Sequence, residues 1–198
     1  MKLEFAVLMS VRQSAEIGMA VALAVVLGLL TRLVQLPYGG SVNLSGLPII
    51  VIALRQGVVP GVTTGALYGI VAFVLNPYYF HPIQVVLDYP MAFACLGLAG
   101  WKLDRFDLSV GIKRVIISAA IILAGGFRLL AHWTSGVVFF AHFAPEGQPV
   151  WLYSLVYNAS YLVPEVLAYI LLVQMILRFV YPIERTDLHL QPSNIKSE

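Results

Sequence analysis

Charged side chains are scarce in this chain. Asp, Glu, Lys and Arg make up 11% of its 198 residues, whereas an ordinary soluble domain is about a quarter charged. That excludes a water-solvated globule of normal composition. The formal net charge of +2 is too small to mark a nucleic-acid partner. Cysteine is rarer still. The single Cys95 excludes an internal disulfide, and without a CxxC or a His/Cys cluster nothing suggests a metal site. Cys95 falls within an apolar span, where a small packing residue is the ordinary reading. Signatures of catalysis are missing too. No G-x-S-x-G, H-E-x-x-H or Walker A motif occurs, so neither an enzyme activity nor a cofactor is expected, and an ATPase is excluded. Active transport must then draw its energy from a partner or an ion gradient. The N-terminus lacks the short apolar core and cleavage site of a secretory signal, so its first long apolar run reads as a retained span.

What the chain has is hydrophobicity: 60% apolar residues and a mean hydropathy of +0.86. It reads as an all-α integral membrane protein embedded in a lipid bilayer. The expected architecture is a single substrate-binding bundle of six transmembrane helices, over about residues 15–36, 47–56, 60–76, 83–101, 115–140 and 150–180. A spanning helix needs about 20 apolar residues, and the second span is short. In the first, Gly18 and Ala22 form a small-x-x-x-small pair on which another helix can lie closely. The stretch 37–46 is rich in turn formers. Pro60 opens the third span where a missing N–H does no harm. Gly57, Gly61, Gly65 and Gly69 recur every four residues, which predicts a smooth packing face. The tail from Glu184 onward is polar. Ten of the twelve basic residues fall on one side of this topology, so both termini are expected to be cytoplasmic. The 37–46, 76–82 and 141–149 loops then face outward.

Asp88 is the residue hardest to explain as structure. A carboxylate at membrane depth costs roughly 2.5–3.5 kcal/mol on insertion scales, and the sequence shows no obligatory partner for it. The topology brings Asp88 and Tyr89 together with His132, Phe139 and Phe140, and with Tyr153, Tyr157 and Asn158, in the outer half of the bilayer. Tyr153, Tyr157 and Tyr161 repeat every four residues and form a stripe able to line a cavity. Arg128 and His132 share a helix face one turn apart. A carboxylate among aromatic rings suggests a pocket for an organic cation, since ring faces attract positive charge. Each part also has a plainer reading. Trp151 and Tyr78 fit an interfacial belt, His132 a hydrogen-bonded core histidine, Asn158 a helix–helix hydrogen bond, and Arg128 with Glu165 a structural ion pair.

Four blocks of sequence carry a resemblance. They are Leu47-Pro48-Ile49 through Ala53-Leu54-Arg55-Gln56-Gly57; His81-Pro82 to Asp88-Tyr89 with Leu96-Gly97-Leu98-Ala99-Gly100; His132 to Phe140; and Tyr153-Ser154 with Asn158. In these the chain resembles the thiamine-specific substrate-capture (S) components of energy-coupling factor (ECF) vitamin transporters. The resemblance covers nearly the whole chain and implies thiamine as ligand, with the energy supplied by an ECF transmembrane coupling subunit and two ATP-binding subunits. It implies that Asp88, Tyr153 and Asn158 hydrogen-bond the aminopyrimidine ring, that His132 and Phe140 lie against the thiazolium, and that Tyr89 contacts its arm. Tyr38 is the residue near the place where some members carry a tryptophan in the first outer loop. Gly18 and Ala22 occupy the small-residue motif through which S components dock on the coupling subunit. Some members have Glu in place of Asp88 and Trp in place of Phe140.

The expected function is therefore a high-affinity thiamine-capture subunit of the cell membrane, binding its ligand from outside under a lid made by the 37–46 and 76–82 loops. The alternatives are a free-standing proton-coupled secondary transporter of thiamine or another organic cation, a capture subunit for a thiamine precursor or riboflavin, and an intramembrane enzyme using Asp88 and His132.

Overall fold

The computed structural model describes residues 9–31, 34–36, 40–101 and 108–180. Among them the chain forms six helices: α1 (Val11–Leu30), α2 (Gly46–Gln56), α3 (Val58–Leu75), α4 (Pro82–Ala99), α5 (Val110–Phe139) and α6 (Val150–Val180). Five are long and apolar enough to cross a membrane, and α2 is a shorter apolar helix. This is a multi-pass, all-α membrane protein. Between α1 and α2 a two-residue antiparallel ladder pairs Val34–Gln35 (β1) with Ser41–Val42 (β2).

The helix ends show which local chemistry wins. α1 begins at Val11, ahead of the expected Ala15, because Ser10 and Gln13 form a reciprocal capping box: Gln13 N–H donates to Ser10 Oγ at 3.2 Å and Ser10 N–H to Gln13 Oε1 at 3.0 Å. It stops at Leu30 although apolar residues run on to Leu36. Thr31 donates both its N–H (2.9 Å) and its hydroxyl (2.5 Å) to the Leu27 carbonyl, and the chain then turns into the ladder. Gly57 does not extend the glycine face of α3. It sits at φ 102° as the single residue between α2 and α3, a conformation that glycine takes without steric cost. Gly61, Gly65 and Gly69 do form the face. A Cβ on Gly61 would lie 2.5 Å from the Ala53 Cβ, one on Gly69 would lie 2.5 Å from the Pro90 Cα, and one on Gly65 would overlap the Phe93 carbonyl. α3 therefore meets α2 and α4 at backbone distance.

The expected span over 83–101 is not one regular helix. α4 opens at Pro82, capped by His81, whose Nδ1 accepts from Ile83 N–H at 3.2 Å. A π turn over Leu87–Met91 then interrupts it. Pro90 lies in that turn. It has no N–H to give and its ring would strike the carbonyl one α-turn earlier, a conflict that the wider turn relieves. Asp88 and Tyr89 are carried on this widened turn.

α2 is the innermost element. Ile49, Ile50 and Leu54 are fully buried and share a cluster with Leu96, Ile117, Ile121 and Tyr169 from the surrounding helices. Apolar residues on the outward faces, such as Leu23, Ile122, Leu123, Leu167 and Leu171, are exposed, as a lipid-facing surface requires. At 11 residues α2 is about 16 Å long, short of a hydrocarbon core of about 30 Å. The non-helical segment 40–45 therefore runs within the bundle and must satisfy its backbone there. It does. Gly40 N–H donates to Tyr157 Oη (3.0 Å), Asn43 N–H to Glu165 Oε1 (3.0 Å), Leu44 N–H to Thr31 Oγ1 (2.8 Å) and Ser45 N–H to Asn43 Oδ1 (3.0 Å). The Tyr169 hydroxyl accepts from Gly46 N–H and lies 3.2 Å from the Asn43 carbonyl.

Of the basic residues, Arg12, Arg55, Lys113 and Arg114 fall at the start of α1, the end of α2 and the start of α5. Arg12 and Arg55 both reach Glu16, at 3.0 and 3.8 Å. The close packing along α3 gives a direct test. Gly65→Val forces α3 and α4 apart and should cost about 1–3 kcal/mol, seen as a lowered unfolding temperature in detergent. Gly126→Ala, where a Cβ has no neighbour within 4 Å, should not lower that temperature.

Candidate functional site

A cavity of about 220 Å³ opens where α1, α3 and α5 end and α2, α4 and α6 begin. The basic residues named above lie at the opposite ends of their helices. Of the residues singled out from the sequence, Asp88, Tyr89, His132, Phe140, Tyr153 and Asn158 all line this cavity. Tyr38 lies outside the described residues. Gly18 and Ala22 are exposed on α1, away from the cavity, and a Cβ on Gly18 would meet nothing within 4 Å.

Asp88 has structural partners that the sequence did not reveal. Its Oδ1 lies 3.1 Å from His132 Nδ1, and its Oδ2 accepts from Ser135 Oγ (2.9 Å) and Gln84 Nε2 (2.8 Å). A carboxylate has about four accepting positions, so three are filled and one remains. The contact with Asp88 places a proton on His132 Nδ1. His132 Nε2 is buried and has no partner among the described residues. The site thus holds one oriented imidazole nitrogen and one carboxylate position in reserve.

Two of the other residues are committed to holding the structure together. The Tyr89 hydroxyl accepts from Tyr78 N–H at 2.9 Å and donates to the Asn76 carbonyl at 3.0 Å, so only its ring faces a ligand. Asn158 donates to the Ser154 carbonyl (2.9 Å) and accepts from the Tyr161 hydroxyl (2.7 Å). A longer contact of 3.4 Å joins it to the His132 carbonyl. It bridges α5 and α6 at the cavity wall. Phe140 lies 5.7 Å from the rings of both Tyr78 and Phe80 and 6.2 Å from Phe143, giving the mouth an aromatic rim. Tyr78 is thus part of the cavity as well as of the exposed surface. Tyr153 stacks on Tyr157 at 6.1 Å, and Tyr157 meets Tyr161 edge to face.

Arg128 and Glu165 form a buried ion pair, Nη1 to Oε2 at 2.6 Å, with side chains 5% and 0% exposed. The guanidinium also lies 4.5 Å over the Phe93 ring. Arg128 borders the cavity floor, but its charge is answered by Glu165, and Glu165 also holds the Asn43 N–H and accepts from Tyr169 Oη at 3.2 Å. Sequence reading passed over Gln84 and Ser135. Gln84 is fully buried, and the signal was present: an amide within an apolar span, four residues before a carboxylate on the same helix face. Ser135 gives no comparable signal, because serine is unremarkable in a membrane helix. Among the described residues no group of three or more His, Cys, Asp or Glu side chains is placed to hold a metal ion.

A bundle of membrane-spanning helices around a cavity that joins a carboxylate, an imidazole and aromatic walls is the architecture of a membrane-embedded small-molecule binder. Comparison with known proteins specifies which. Residues 14–184 match the family described as "Thiamine transporter protein (Thia_YuaJ)", and the chain belongs to that family. It is 41% identical over 157 residues to the thiamine transporter ThiT of Bacillus subtilis, covering 76% of this chain and 82% of the relative. It is 35% identical over 129 residues to the thiamine transporter ThiT of Lacticaseibacillus paracasei, covering 61% of this chain and 64% of that one. The fold is shared with a solved structure of ThiT from Listeria monocytogenes, with a TM-score of 0.74 at 23% identity, over 85% of this chain and 94% of that chain.

The ion pair is testable by itself. Arg128→Met leaves Glu165 buried without a counter-charge and should cost about 3–5 kcal/mol. Adding Glu165→Gln removes the orphaned charge while keeping an acceptor for Asn43. The double variant should therefore melt at a higher temperature in detergent than Arg128→Met alone.

Proposed function

We propose that this chain captures thiamine from outside the cell and passes it inward as the substrate-binding subunit of an ECF transporter. One observation carries the reading: an aromatic-walled cavity that keeps one accepting position on Asp88 and a buried His132 Nε2 without a partner among the described residues. Thiamine has an amino group to donate to such acceptors and a cationic ring that aromatic faces attract. The names of the relatives agree with that chemistry. The aminopyrimidine binds at Asp88 beside Tyr153 and Asn158, the thiazolium lies against His132 and Phe140, and the Tyr89 ring contacts its arm. The 76–82 segment covers the mouth.

Energy has to come from elsewhere, since the chain carries no nucleotide-binding motif. The exposed Gly18 and Ala22 on α1 offer a smooth strip for the coupling subunit, which in turn joins two ATP-binding subunits. Both termini are cytoplasmic in this arrangement, on the side of Arg12, Arg55, Lys113 and Arg114.

Titration of the purified protein with thiamine, read by tryptophan fluorescence, should show tight quenching, with riboflavin and the isolated pyrimidine far weaker. Asp88→Asn should weaken binding by more than about tenfold, the scale expected when a charged hydrogen bond is lost. Unchanged affinity would remove Asp88 from the ligand site. Gly18→Leu combined with Ala22→Leu should spare binding and abolish uptake in cells. Thiamine uptake into liposomes by the protein alone would overturn the need for a partner.

A further inference from the structure

The segment 76–81 joins α3 to α4 without regular structure, yet it carries the Tyr78 and Phe80 rings of the cavity rim. Two side chains of α4 grip its backbone. Tyr89 takes the Asn76 carbonyl and the Tyr78 N–H. Gln84 takes the next two groups: its Oε1 accepts from Phe80 N–H at 3.0 Å and its Nε2 donates to the Tyr78 carbonyl at 3.2 Å. The same Nε2 donates to Asp88 Oδ2 at 2.8 Å. These three bonds permit one orientation of the amide. A flip would set Oε1 against the Asp88 carboxylate and the Tyr78 carbonyl, and Nε2 against the Phe80 N–H.

We propose that Gln84 is the positioning residue of this site, tying the Asp88 carboxylate to the aromatic rim so that the two adopt one joint arrangement. The proposal rests on the capture reading above for its ligand and adds to it a residue that touches both parts. Gln84 is fully buried, and its amide makes all of its contacts on these two features. Ser135 donates to the same Asp88 Oδ2 but bonds to no rim residue among the described residues, so it serves as an internal control. Plain core packing by Gln84 would predict loss of stability alone. The linkage predicts that disturbing Asp88 loosens a segment Asp88 does not hydrogen-bond.

The test uses the full chain in detergent and has two arms. The first needs no ligand: amide hydrogen exchange across 76–81. Asp88→Ala should speed exchange in that segment several-fold, and Ser135→Ala should not. Gln84→Leu should speed it most at Phe80, and Gln84→Glu, which keeps the shape but loses the Nε2 donor, covers the case in which the leucine variant fails to fold. Exchange unaltered by Asp88→Ala would overturn the linkage. The second arm is a thiamine-binding cycle. Gln84→Leu should raise Kd about tenfold in the native background and much less in Asp88→Ala, a non-additivity typical of neighbours that share a hydrogen bond. Additive effects would also overturn it. A native protein that binds no thiamine would refute the capture reading, and the exchange arm would still decide the role of Gln84.

Discussion

A backbone that leaves regular structure inside a bilayer must find every hydrogen bond within the protein. Much of this fold answers to that requirement at residues 40–46. α2 is too short to cross by itself, and the segment before it lines the cavity with Gly40, Ser41 and Asn43. The groups that satisfy the segment come from far along the chain: Thr31 at the end of α1, and Tyr157, Glu165 and Tyr169 on α6. Glu165 is the centre of this arrangement. It accepts from Asn43 with one oxygen and from Arg128 and Tyr169 with the other. A buried ion pair is weak evidence for stability as such. Here it does something more specific, fixing α5, α6 and the segment at Asn43 in one register.

The ligand cavity is built on the same logic with a different outcome. The backbone N–H groups of Gly40, Asn43, Leu44 and Ser45 are all taken, whereas the groups around Asp88 leave one accepting position open. Three donors orient the carboxylate, and the carboxylate orients the imidazole, before any ligand arrives. Preorganisation of this kind lowers the ordering cost of binding. It also leaves on Asp88 one accepting position that a hydrogen-bond donor on the ligand can fill.

The sequence made the membrane class, the helix number and the main polar residues of the site legible, because each rests on composition or on helical spacing. Asp88, His132, Tyr153 and Asn158 stood out as polar groups where lipid-soluble residues are the rule. Their division of labour did not. That Asn158 is spent on Tyr161 and Ser154, or the Tyr89 hydroxyl on the 76–81 segment, depends on contacts between elements far apart in the chain. The end of α1 was misplaced for a related reason: apolar residues continue past Leu30, and only the Thr31 side chain and the ladder beyond show where the helix stops. Gly57 was grouped with the glycine face by spacing, whereas its positive φ assigns it to the turn.

The π turn in α4 changes what a position in that helix means. An α-helix turns about 100° per residue, so absorbing one extra residue between Leu87 and Met91 resets the rotational phase of everything that follows. The stretch before the turn brings Gln84 to the cavity, the turn itself carries Asp88 there, and the stretch after it brings Phe93, five residues beyond Asp88, to the same cavity. On the other side the Tyr89 carbonyl and Pro90 still meet the bare backbone of α3 at Gly69. α4 is thus two short rods set at different angles of rotation. The place of the carboxylate in the cavity is fixed by a residue count across that joint as much as by the side chain that fills it.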